Sequence, residues 1–169
     1  MLALAALAPP ARAQLSEDAV KAAFLPRFAR YVAWPEAVRP QAQAPFHLCV
    51  IGQDPFRRLL EEAAGRELID GHRVSVRRMA NAEGAAGCHL AYVQGATPAE
   101  TARLLVALRR QPVLTITDSR AGTPRGMIHF AVIERRVRFY IDEAAADALG
   151  ISISSRLLAL AVQVRQRPA

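Results

Sequence analysis

Apolar positions change their period along this chain, and each change marks an element. Val20, Phe24, Phe28 and Val32 recur every four residues, the spacing of one helical face. Ser16, Glu17 and Asp18 stand where a helix cap belongs. Pro26 is placed to kink this helix, and Trp34 before Pro35 ends it, because a residue preceding proline avoids helical geometry. Residues 40–45 read as a linker and 46–51 as an apolar strand. Gly52 opens a turn, with Asp54 as N-cap and Pro55 at the first position of a helix that Gly65 closes. Residues 73–78 alternate, Val74 and Val76 inward and Ser75 and Arg77 outward, as in a half-exposed strand.

Residues 81–87 read as loop or a weak helical turn, and 88–93 as a third strand. Thr97 and Glu100 frame a capping box, with Pro98 at the first position of a helix running to Arg109. Residues 112–117 form a fourth strand, followed by a polar loop over 118–126. Residues 127–133 and 137–142 make a hairpin about Glu134, Arg135 and Arg136. A short helix at 144–149 stops at Gly150, and Ser154 or Ser155 caps a last helix over 156–164.

This order predicts an α/β fold: a single layered domain with a mixed sheet of about six strands flanked by helices. The turns at Gly52 and Gly95 put two helix N-termini on one sheet edge, where Asp118 ends its strand. That edge is the expected pocket. Residues 1–13 set this domain, 14–169, apart. They are a short apolar run closing on Ala11-Arg12-Ala13, the A-x-A pattern of a cleaved export signal. The run lacks the usual basic start, and the expectation is a start upstream. It falls short of the ~20 apolar residues that span a bilayer.

Export changes the reading of the two cysteines, Cys49 and Cys88. Each sits in an apolar stretch, and in a reducing compartment both would be plain core residues. In an oxidising one they pair. A hydrophobic content of 52 % excludes a disordered chain. The formal charge is +7, and Lys21 is the sole lysine. The arginines are scattered in pairs over separate elements, not drawn into a stripe, and no nucleic-acid motif appears, so nucleic acid is not an expected partner.

An ordered set of segments resembles the YfiR family of small periplasmic regulators, which includes HmsC. It starts with Val20-Lys-Ala-Ala-Phe24-Leu-Pro-Arg-Phe28-Ala-Arg-Tyr31-Val-Ala-Trp34-Pro35 and continues through Leu48-Cys49-Val-Ile-Gly52-Gln-Asp54-Pro55-Phe56. Gly87-Cys88-His89, Pro112 to Asp118, Gly126-Met127-Ile128, Arg136-Val-Arg138-Phe139 and Ser154-Ser-Arg156-Leu-Leu158 complete it. The resemblance implies an exported repressor of an inner-membrane diguanylate cyclase, acting on the cyclase's periplasmic domain to lower cyclic di-GMP and biofilm formation. It also implies a Cys49–Cys88 disulfide and a homodimer. This chain departs from relatives in having Pro26-Arg27 where Tyr-Asn is frequent and Asp142 where Asn is usual. The second cysteine pair of some relatives is absent.

No catalytic constellation emerges: there is no nucleophile elbow and no phosphate or dinucleotide loop. A zinc site can be drafted from His47, Cys49, Cys88 and His89. Neighbours on a strand point to opposite faces, however, so Cys88 and His89 do not chelate together. The expectation is no metal, no cofactor and no enzyme. The candidate binding residues are His129 on one hairpin strand and Arg136, Arg138 and Tyr140 on the other, a basic and aromatic surface for an anionic ligand or an acidic patch. Arg156 joins them as a guanidinium near a helix N-terminus. The alternative function is a sensor of a small anion, serving a kinase or transporter.

Overall fold

The computed structural model describes residues 11–166. The export signal read at 1–13 lies outside them, apart from three residues at the start of helix α1. This helix, Ala11–Ala29, is followed by β1 (Val32–Ala33), β2 (Phe46–Gly52), α2 (Arg58–Ala64), β3 (Leu68–Ile69), β4 (His72–Met79) and β5 (Leu90–Gln94). Next come α3 (Pro98–Leu108), β6 (Leu114–Asp118), β7 (Ile128–Ile133), β8 (Arg136–Asp142), α4 (Glu143–Asp147), β9 (Ser152–Ile153), α5 (Ser155–Leu158) and β10 (Val164–Arg165).

Eight strands form one mixed sheet in the order β10-β8-β7-β6-β5-β2-β4-β3, and β1 pairs with β9 in a separate two-stranded sheet. The expected α/β layering holds, with the sheet larger than the six strands expected. The two-residue strands carry too little pattern to be read as periodicity. Strands β4, β2, β5, β6 and β7 run parallel, and β8 turns back antiparallel on β7. Glu134 and Arg135 both take positive φ, the geometry of a tight hairpin turn.

Alternation divides the side chains between two faces. One face carries Leu48, Val50, Leu90, Tyr92, Leu114, Ile116, Ile128, Phe130, Phe139 and Ile141 against Leu25 and Phe28 of α1 and Leu60 of α2. The opposite face of β2 and β5 carries Cys49, Ile51, Ala91 and Val93 against Leu104 and Leu108 of α3.

Four local expectations change. The four-residue stripe loses only Val20, which is 40 % exposed: Phe28 and Val32 are buried, Phe24 packs against the core, and Ala22, Leu25 and Ala29 widen the buried face. Val32 has left the helix and pairs with Ile153. Glu17 and Asp18 lie inside α1, which runs through them and through Pro26. Asp54 does not cap α2: its carboxylate accepts from the Phe56 and Arg57 amides in a local turn, and the helix starts at Arg58. The last helix is four residues long. Val164 lies on β10 instead, parallel to β8, because the unpaired backbone of the β8 edge takes up the chain's end.

Candidate functional site

The disulfide is present: Cys49 and Cys88, 39 residues apart, are bonded beneath the short turn at Ala82–Ala85. Both sulfurs of the drafted zinc site are therefore taken. His89 Nδ1 accepts the His47 amide at 2.9 Å, and its ring stacks on Phe46. Burial, then the facing His47, holds His89 below its ordinary pKa, so the ring is a neutral packing group.

The expected pocket at the carboxyl edge of the parallel strands is occupied by protein. A Cβ on Gly52 would stand 2.1 Å from the Gln94 carbonyl, and the Gln53 amide donates to that same oxygen. Asp118, expected in a solvated loop, is fully buried and 2.7 Å from the equally buried Nζ of Lys21. Arg120 bridges Asp118 at 3.1 Å and Asp18 at 2.6 Å. Burial pushes the Asp118 carboxyl up, but the Arg120 amide and the Lys21 ammonium outweigh it and hold it below its usual range. This cluster locks α1 to the end of β6. Sequence reading missed it; the one hint was a lone lysine on the inward side of a helix.

The open site lies on the other side of the sheet. Strands β6 and β7 are parallel, yet residues 119–127 join them without an α-helix, and this loop crosses over the polar face. Gly126 permits the close crossing, since a Cβ there would be 2.7 Å from the Thr115 carbonyl. Its amide donates to Thr117 Oγ1 at 2.8 Å, and the Met127 amide donates to Thr115 Oγ1. The loop carries Arg125 to a point 4.8 Å above the Tyr140 ring.

Beneath it, His129 pairs across the hairpin with Tyr140 and is 3 % exposed. Thr117 Oγ1 stands 2.7 Å from His129 Nδ1. The same oxygen accepts the Gly126 amide, so one hydroxyl ties the crossing loop to the imidazole ring. Burial, then the charge of Arg125, lowers the His129 pKa to about 4, so the ring is neutral at physiological pH. Asp142 and Arg165 pair at 2.5 Å along the rim. A cleft of about 440 Å³ results, lined by Arg125, His129, Tyr140, Asp142, Gln163 and Arg165.

The structure brings His129 and Tyr140 together in this cleft. Arg138 and Arg136 continue the same face of β8, opposite Ala131 and Ile133, and stand exposed beyond the cleft. Arg156 is separate. Leu157 packs into the core on the α1 side of the sheet, and Arg156 lines a different hollow with Tyr31, Ser152 and Ser154. Arg125 escaped the sequence reading because a loop arginine carries no periodic signal.

No helix among the described residues is long and apolar enough to cross a membrane. Residues 18–162 match the family described as YfiR/HmsC-like, the assignment that the ordered motifs predict. No curated protein matches the chain.

Proposed function

Because the chain belongs to the YfiR/HmsC-like family, we propose that it binds the periplasmic domain of an inner-membrane diguanylate cyclase and represses it, lowering cyclic di-GMP and biofilm formation. The protein acts by binding, with no turnover of its own. The observation that carries this reading is the family match over nearly the whole described chain. The Cys49–Cys88 bridge accords with an oxidising compartment outside the cytoplasm. Arg136 and Arg138 supply a contact surface: both are exposed on β8, and neither has a carboxylate partner among the described residues. A basic row of this kind attracts an acidic patch, mainly by raising the association rate, and salt weakens that attraction.

Gene deletion should raise cyclic di-GMP and surface attachment, and the wild-type gene should restore both. The Arg136→Glu, Arg138→Glu double variant should fold normally yet restore repression poorly. Unchanged cyclic di-GMP after deletion would defeat the repressor reading. Full repression by the double variant would remove β8 as its contact surface.

A further inference from the structure

The cleft beside β8 has a composition that a packing role does not explain. Buried residues on the equivalent face of β2 and β5 are apolar, whereas here a histidine 3 % exposed forms the floor. Its Nδ1 is held by Thr117, and Nε2 has no protein partner among the described residues. Arg125 likewise forms no ion pair among the described residues; its guanidinium lies over the Tyr140 ring. Asp142, the cleft's own carboxylate, is neutralised by Arg165 and also accepts from the Ala145 amide.

We infer that this cleft binds a small molecule through an oxyanion, a carboxylate or a phosphate, held between the Arg125 guanidinium and His129 in the tautomer that carries its proton on Nε2. The chemistry follows from the donor set. Arginine binds planar carboxylates and phosphates through paired N–H groups, and a neutral imidazole N–H adds a directed bond without a second full charge. The Thr117 contact fixes the ring, so the donor needs no reorganisation on binding. The rim glutamine Gln163 offers an amide that can donate or accept, suited to a polar substituent near the anion. A cavity of about 440 Å³ accommodates a metabolite-sized ligand, within the range of small-molecule pockets. This site is independent of the cyclase reading, since it is read from the isolated protein.

The test is calorimetric titration of the oxidised protein with two probes, inorganic phosphate and benzoate, followed by NMR of the His129 ring. Saturable binding of at least one probe is expected, and the two arms separate a phosphate from a carboxylate preference. Arg125→Ala should weaken it by about tenfold or more, as loss of a charge-assisted bond does. Arg125 is exposed, so this variant should keep the wild-type melting temperature. Arg156→Ala, which alters the other hollow, should bind as wild type. Absence of saturable binding by both probes at millimolar concentration overturns the proposal. So does equal binding by Arg125→Ala, or loss confined to Arg156→Ala.

Discussion

The two halves of the sheet are built alike on one face and differently on the other. Under β2 and β5, α3 covers the second face, and both strands are close to continuously apolar. Under β6, β7 and β8, no α-helix of the described residues takes that place. The second face reads Thr115, Thr117, His129, Arg138 and Tyr140, crossed by a single loop. One half is closed by packing on both sides and stapled by a disulfide. The other is packed on one side, and its polar side holds the open cleft. One sheet thus combines a half covered on both faces with a half whose second face is polar and open.

The largest effect should come from the face the halves share. Phe28 is 1 % exposed and sits 5.6 Å from Phe130 and 5.0 Å from Phe139, ring to ring. Phe28→Ala should cost about 3–5 kcal/mol in denaturant unfolding. A near-neutral result would show that α1 is not what holds the second half together.

Next in size is the staple of the closed half. Cys49→Ser should cost about 2–4 kcal/mol, and the double variant lacking both cysteines should cost the same, because either change opens the same loop. A much larger loss in the double variant would mean that the side chains pack independently of the bond.

The smallest effect belongs to the open half and appears as a pH dependence. The folded pKa of His129 is about 4, below the unfolded value near 6.5, so the folded state binds fewer protons. This contribution is complete above pH 6.5 and is lost as pH falls toward 4. Between pH 7 and 5 the loss should be on the order of 1–2 kcal/mol, and His129→Gln should flatten that limb of the stability profile. NMR titration of the ring near 6.5 would refute the buried, neutral assignment.

Much of this was legible in the residues themselves. The apolar strand at 46–51, the capping box and the hairpin each rest on neighbours close in sequence, and each formed as expected. Thr97 accepts the Glu100 amide, and Glu100 reaches back to the Ala96 amide. Alternation placed His129 on one hairpin strand and Tyr140 on the other, and the shorter turn, Glu134-Arg135, set them opposite each other. The ordered motifs also identified the family.

The tertiary structure decided what depends on long-range partners. Lys21 and Asp118 are 97 residues apart, and the inward position of Lys21 on its helix does not name its partner, because burial of a charge is settled by whether an opposite charge arrives. Val164 became a strand because β8 offered a free edge, not because its own segment favoured one. Arg125 reached the cleft because Gly126 let a loop cross close to β6, a steric condition set by the Thr115 carbonyl. Local periodicity specified the elements and their faces. Which faces were covered, which charges met and where the cleft opened depended on chain crossings that no local pattern encodes.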